Sequence, residues 1–176
     1  MTNKILAFGA SNSTKSINKQ LAIYASSLFK KAEVELLDLN DFEMPIYSMD
    51  REEKDGIQQL AHDFYQKMGS ADLILISFAE HNGAYSTAFK NIFDWTSRIN
   101  GKTFQEKPML LLATSPGVRG GSSVLEIANK RFPFQRGVIK GTFSLPNFYE
   151  NFDAEKGIIN EELKNQLLGI VNSIEL

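Results

Sequence analysis

At 176 residues, with 43% hydrophobic and 23% charged side chains, the chain is long enough to bury a substantial core and has the make-up of one globular domain, residues 1–176. Nineteen Lys and Arg against 21 Asp and Glu leave a net charge of −2, without the basic excess of a nucleic-acid binder. There is no cysteine, which excludes disulfides, thiol nucleophiles and thiolate metal sites, and the two histidines, His62 and His81, are too far apart in sequence for a His-rich metal site.

The apolar run that follows Met1-Thr-Asn-Lys4 is too short for a signal segment or a membrane span, so a cytoplasmic protein with no membrane partner is expected. Ile5–Phe8 reads as a first strand and Ser16–Lys31 as a helix, with Ile17, Leu21, Tyr24, Ala25 and Leu28 at helical spacing. Between them Ser11, Ser13, Thr14, Ser16 and Asn18 crowd hydroxyls and an amide into one short loop. The first N–H groups of a helix lack intrahelical partners and carry the positive end of its dipole, so a strand, a small polar loop and a helix make an anion site. A hydroxyl that only caps the helix is the competing reading.

Val34–Asp38 reads as a short edge strand, and Asn40–Asp50 as a loop whose Phe42, Met44, Pro45, Ile46 and Tyr47 either cover a flat ligand or pin the loop to the sheet edge. Gly56–Gly69 has the stripe Ile57, Leu60, Ala61, Phe64, Met68 of a second helix, with His62 off it. Ala71–Phe78 is apolar on both faces, which predicts a central buried strand. Asn82-Gly83 is a turn signal, with Asn82 as a helix cap. A third helix, Tyr85–Arg98, places Tyr85, Phe89 and Phe93 in one row beside Trp95, as core or as an oligomer contact, and sets Lys90 four residues before Asp94. Pro108–Ala113, Ser122–Phe132 and Val138–Leu145 continue as strand, helix and edge strand. Asn151–Asn160 reads as a polar loop, and Glu161–Ile174 as a final helix.

Strands that alternate with helices predict an α/β three-layer sandwich around a parallel sheet. In such sheets a ligand sits beyond the carboxyl ends of the strands. Three small or polar loops fall there: Ser11–Asn18, Ala79–Tyr85 and Thr114–Ser122. The third carries Gly117-x-x-Gly120-Gly121, which is not a dinucleotide fingerprint, and no Walker A pattern is present. Its glycine-rich backbone suits a flat ring or a small anion nest.

These loops carry a resemblance. Ala10-Ser11-Asn12-Ser13-Thr14-Lys15-Ser16-Ile17-Asn18 is similar to the Gly-Ser-x-Arg-x-x-Ser-x-Asn stretch of the NADPH-dependent FMN reductase family, with Ala10 for its glycine and Ser13 for its arginine. Ala79-Glu80-His81-Asn82-Gly83, followed by Lys90-Asn91-Ile92-Phe93-Asp94-Trp95, resembles its Pro-Glu-Tyr-Asn-Gly and Lys-Asn-x-x-Asp-Trp motifs. Ser115-Pro116-Gly117-Val118-Arg119-Gly120-Gly121 resembles its Ser-Pro-Gly-x-x-Gly-Gly. The three occur in the family's order over Ile5 to about Leu145.

The resemblance implies a flavodoxin-like sandwich, a five-stranded parallel sheet of order 2-1-3-4-5 with helices on both faces. It implies an FMN-dependent oxidoreductase that takes hydride from NADPH or NADH and passes it to a small electron acceptor such as a flavin, quinone or azo compound. An FMN-binding electron carrier is the alternative, although the near-neutral charge is unlike the acidic surface of such carriers. Ser11, Ser16 and Asn18 are then expected at the FMN phosphate, with Thr14 or Lys15 compensating for the arginine replaced by Ser13. Glu80, His81, Asn82 and Gly83 are expected along one edge of the isoalloxazine, and Ser115, Pro116, Gly117 and Gly120 at its pyrimidine end, where backbone N–H groups or Arg119 stabilise negative charge. No catalytic side chain is required, because the cofactor carries the chemistry. His81 either donates a proton to flavin or acceptor, or stacks where the family has tyrosine. A homodimer or homotetramer is expected.

Overall fold

The computed structural model describes residues 2–176; Met1 lies outside them. Five parallel strands form the central sheet: β1 (Asn3–Ala10), β2 (Ala32–Leu36), β3 (Leu73–Phe78), β6 (Pro108–Thr114) and β7 (Val138–Leu145), in the order β2-β1-β3-β6-β7. This is the expected 2-1-3-4-5 order of the long strands. Two short hairpins, β4 (Glu80–His81) with β5 (Ala84–Tyr85) and β8 (Phe152–Asp153) with β9 (Gly157–Ile158), lie outside the sheet.

The period of two along the central strands decides which helix packs where. Leu6, Phe8, Ile74, Ile76, Phe78, Met109 and Leu111 face α3 (Gln59–Gly69), α4 (Thr87–Ile99) and α5 (Ser122–Arg131). Ile5, Ala7, Leu73, Leu75, Leu110 and Leu112 face α1 (Ile17–Ser27) and α7 (Glu161–Ser173). Every residue of β3 is buried, Ser77 included, as a run apolar on both faces predicts. Gly9 lets α1 approach β1 closely, since a Cβ there would stand 2.5 Å from the backbone nitrogen of Lys19.

Several boundaries differ from the sequence reading. The 40–50 segment is not all loop: a 3₁₀ turn, Leu39–Phe42, precedes α2 (Met49–Asp55), and α3 begins at Gln59 rather than Gly56. The third long helix starts at Thr87, because Tyr85 belongs to the hairpin and Ser86 takes the cap position, its Oγ accepting the Phe89 N–H at 3.2 Å. Asn82 is therefore no cap. The expected polar loop 151–160 holds the end of α6 (Phe148–Asn151) and the β8–β9 hairpin. Phe89, Phe93 and Trp95 are 1%, 7% and 0% exposed, so that aromatic row is core rather than an oligomer contact. It joins Phe8, Phe64, Phe78, Phe104 and Phe132 in one cluster under α3 to α5. The Lys90–Asp94 pair forms as read, at 2.7 Å.

At the edge strand β2, Glu35 accepts from Lys4 at 2.7 Å and from Lys67 at 2.5 Å. Hydrogen bonds from these ammonium groups hold its carboxyl below the ordinary 4.5. A carboxylate with a depressed folded pKa contributes stability above its unfolded value, and that contribution is lost as pH falls through the folded one. Solvent screens these part-exposed groups, so Glu35→Gln is expected to lower stability at pH 7 by less than about 1 kcal/mol. Urea unfolding as a function of pH should show that margin disappear in acid, below the folded pKa.

Candidate functional site

The loops after β1, β3 and β6 meet at the carboxyl edge of the sheet around a cavity of about 230 Å³. The β1–α1 loop is knitted by its own hydroxyls. Ser11 Oγ accepts the Ser13 N–H at 3.1 Å, Ser13 Oγ the Lys15 N–H at 3.3 Å, and Ser16 Oγ the Lys19 N–H at 3.1 Å. In each case a lone pair is engaged and the hydroxyl hydrogen stays free to donate. The amides of Ile17 and Asn18 stand in the first turn of α1, where no intrahelical acceptor exists. Three hydroxyl donors, a helix N-terminus and Lys15 thus line one end of the cavity, a donor set that suits a phosphate monoester.

Asn18 has a different place in this arrangement. It is 2% exposed. Its Oδ1 accepts from Ser77 Oγ at 2.7 Å and from the Thr114 N–H at 3.0 Å, while its Nδ2 donates to the Thr114 carbonyl at 3.1 Å. The side chain therefore fastens α1 to the ends of β3 and β6. Thr114 Oγ1 in turn donates to the Leu145 carbonyl at 2.7 Å and carries the brace to β7.

The β4–β5 hairpin turns on Asn82 and Gly83, both in the left-handed region at φ 52° and 76°. Successive positive φ values match the twist of a two-residue hairpin, which Asn-Gly adopts with little strain. The Glu80 carboxylate accepts the Val124 N–H at 3.0 Å and so caps α5, whose own cap residue, Gly121, has no side chain to offer. Ser86 Oγ donates to the Ala10 carbonyl at 2.7 Å and ties the start of α4 to the end of β1. In the third loop Gly120 and Gly121 have φ values of 56° and 75°. A Cβ on Gly120 would also press within 2.9 Å of the Leu145 and Pro146 backbone, so only glycine fits. The loop leans on the turn after β7, where the N–H groups of Asn147 and Phe148 donate to the Gly117 and Ser115 carbonyls.

Of the residues expected at the site, Ser11, Ser13, Ser16, Asn18, Glu80, His81, Ser115 and Pro116 line the cavity. Thr14 is exposed and stands outside the lining, as do Asn82 and Gly83 at the hairpin tip and Gly117 and Gly120 in the third loop. Arg119 is turned onto α5, with its Nη2 donating to Ser123 Oγ at 2.7 Å. Tyr149, 73% exposed, joins the rim from α6; it lies far along the chain in a stretch without a motif, so no sequence signal marks it. Ser77 and Thr114 are single polar residues near the carboxyl ends of apolar strands, and that pattern is their signal in the sequence. Among the described residues no cluster of three or more His, Asp or Glu is placed to hold a metal ion, and no helix is long and apolar enough to cross a membrane.

The order of the sheet and the loops at its carboxyl edge define a flavodoxin-like α/β protein, and solved structures agree. The NAD(P)H:(acceptor) oxidoreductase FerB from Paracoccus denitrificans superposes with a TM-score of 0.77 at 22% identity, over 97% of this chain and 94% of that one. The model of the family described as NADPH-dependent FMN reductase matches residues 3–150. The chain belongs to that family. Among characterised relatives, a 2-hydroxy-1,4-benzoquinone reductase of a Burkholderia species is 32% identical over 122 residues, which are 68% of this chain and 64% of that protein. An NADPH azoreductase of Bacillus sp. strain OY1-2 is 24% identical over 153 residues, 87% of this chain and 82% of that one.

Removing the Asn18 amide strands three buried partners, the Ser77 hydroxyl and both backbone groups of Thr114. Asn18→Ala is expected to lower stability by about 3 kcal/mol, at roughly 1–3 for each buried group left unpaired that fails to find water. Urea unfolding measures it, and a loss below about 0.5 kcal/mol would show that the clasp contributes little.

Proposed function

We propose that this protein is an FMN-dependent NAD(P)H oxidoreductase that reduces a small acceptor, a quinone, flavin or azo compound, and that residues 1–176 act as one FMN-binding domain. The observation that carries this reading is the donor set at the start of α1. Ser11, Ser13 and Ser16 present hydroxyl hydrogens beside Lys15 and the open amides of a helix N-terminus. It takes the place of the family's arginine at Ser13 and suits the FMN phosphate. Membership in the reductase family and the acceptors named for the relatives support the rest.

When bound, FMN supplies the hydride chemistry. The protein's part is to hold it. Ser16 and Ser11 bind the phosphate. Asn18 acts from behind, by keeping the loop that bears Ser115 and Pro116 level with the phosphate loop. The Glu80 cap on α5 sets the hairpin against that same loop, so that His81 and Pro116 border a slot in which a flat ring fits. Asn82, Gly83, Gly117 and Gly120 shape the backbone on either side of this slot. A cytoplasmic homodimer is the assembly we favour; Phe134, 78% exposed, is available for a contact between copies.

Ser16→Ala is expected to weaken FMN binding by about 1–3 kcal/mol, roughly 5- to 150-fold in Kd. Thr14→Ala should leave it unchanged. Flavin fluorescence titration reads both. Anaerobic NADPH should bleach the flavin absorbance of the loaded protein. A yellow protein that NADPH cannot bleach would point to an electron carrier, and failure to take up FMN would overturn the proposal.

A further inference from the structure

Of the five tyrosines only Tyr149 is exposed; Tyr24, Tyr47, Tyr65 and Tyr85 are half-buried. It lines the same cavity as Ser11, Ser13, Lys15 and Ser16. We propose that Tyr149 is a specificity-determining residue for a phosphate monoester: its ring covers the outer side of the phosphate cradle, and its hydroxyl donates to the phosphate. The proposal rests on the reading of this cleft as the FMN site, and it makes Tyr149 a residue that favours the phosphorylated flavin over the free one.

The fold brings α6 to the cradle. It follows the edge strand β7, yet it stands on the same face of the sheet as α1. Phe148, 3% exposed, packs in one core with Leu21, Ala22 and Ala25 of α1. Phe152 meets Tyr24 of α1 edge-on, 5.8 Å between centroids, and Gly157 lies so close to the Tyr24 ring that no Cβ fits between them. The helix whose N-terminus forms the cradle is thus flanked by the segment that carries Tyr149. On the far side of His81 a separate cavity of about 330 Å³ opens between residues 39–46 and the start of α4. Tyr149 takes no part in its lining.

The backbone beneath Tyr149 is fixed. Asn147, at a left-handed φ of 47°, turns the chain out of β7. The N–H groups of Asn147 and Phe148 donate to the Gly117 and Ser115 carbonyls at 3.0 and 3.1 Å. Asn151 Nδ2 donates to the Pro146 carbonyl at 2.9 Å, and the Asn151 carbonyl accepts the Ile159 N–H at 2.9 Å. The Phe148 ring stacks on Phe152 at 4.7 Å and meets the Tyr149 ring edge-on at 5.5 Å. An aromatic side chain with two torsions, seated on an anchored turn, loses little entropy when a ligand settles against it.

The cradle gains from such a cover. Among the described residues Lys15 is the one lysine or arginine in the lining, and Ser13 stands where the motif this loop resembles has arginine. An exposed charge pair is screened by water and salt. A ring laid over the phosphate excludes water and strengthens the attraction of Lys15 and of the helix N-terminus. The tyrosine hydroxyl adds a donor, and a hydrogen bond to an ionised acceptor is roughly twice as strong as a neutral one. A flavin without phosphate meets neither the hydroxyl nor the lysine.

The test titrates FMN, and riboflavin, which lacks the phosphate, into the flavin-free protein and reads flavin fluorescence. Tyr149→Phe removes only the hydroxyl and is expected to weaken FMN about fivefold. Tyr149→Ala removes the cover as well and should weaken it by about tenfold or more. Both should change the riboflavin Kd by less than about twofold. The urea midpoint, measured alongside, should stay in place because the side chain is exposed. FMN affinity untouched by Tyr149→Phe or by Tyr149→Ala overturns the proposal. So does an equal loss for both flavins, since Tyr149 then contacts the ring. A wild-type protein that takes up no flavin is a separate result, and it sinks the oxidoreductase reading. Inorganic phosphate, titrated into the wild-type and Tyr149→Phe proteins and followed by phosphorus NMR, then decides the matter. Weaker binding to the variant upholds the phosphate contact, and equal or absent binding overturns it.

Discussion

Everything at the carboxyl edge of the sheet depends on one buried amide. Asn18 stands two residues into a helix yet bonds both backbone groups of Thr114 at the end of a strand two places away, and takes the Ser77 hydroxyl on the way. A buried carboxamide is tolerable only when its donors and acceptor are met, and here the partners are the last polar groups of the central strands. The consequence is geometric: the loop after β1 and the loop after β6 are set at one level, and the cleft between them has a fixed width. Without that connection the loops would rest on separate helices that have no reason to agree.

A second economy of groups runs through the same edge. The seryl hydroxyls of the first loop use lone pairs to hold their own backbone and keep their hydrogens outward. The Glu80 carboxylate does the opposite. It accepts the Val124 N–H in the first turn of α5, so the acid that lines the cleft is bonded to a helix end. Ser13 stands where the motif this loop resembles has arginine, and the donors that line the cleft there are hydroxyls, amides and Lys15. His81 is the shared border between this cleft and the cavity walled by residues 39–46, and the two compartments are held by different helices, α1 and α5 on one side and α4 on the other.

The strands and the loops that follow them were legible because their signals are local. The run Leu73–Ile76 is apolar on both faces, and only a strand covered on both sides explains it. Asn82-Gly83 announced its turn through backbone preference alone. The cap of α4 was misassigned to Asn82 for an equally local reason: Asn-Gly is a turn and a cap signal at once, and Ser86 wins only because its hydroxyl also reaches the Ala10 carbonyl across the sheet. The segment 40–50 reads as loop because its apolar residues have no period. They pack against α4 and α3 in a way that no spacing encodes.

The strand order came only with the resemblance that three short motifs carry; composition, periodicity and loop chemistry determined the class of fold and the sheet edge at which an anion is expected. These follow from properties that belong to single residues or to neighbours: apolar period, helix-end polarity, the conformational freedom of glycine. What each polar side chain does was decided only by the tertiary structure. Asn18 and Ser16 are two residues apart in the sequence, both polar, and alike as candidates. Both line the cleft, but Asn18 commits its amide to Thr114 and Ser77, whereas Ser16 keeps its hydroxyl hydrogen free. Hydrogen-bond partners 59 and 96 positions away make that difference, and no local pattern contains them.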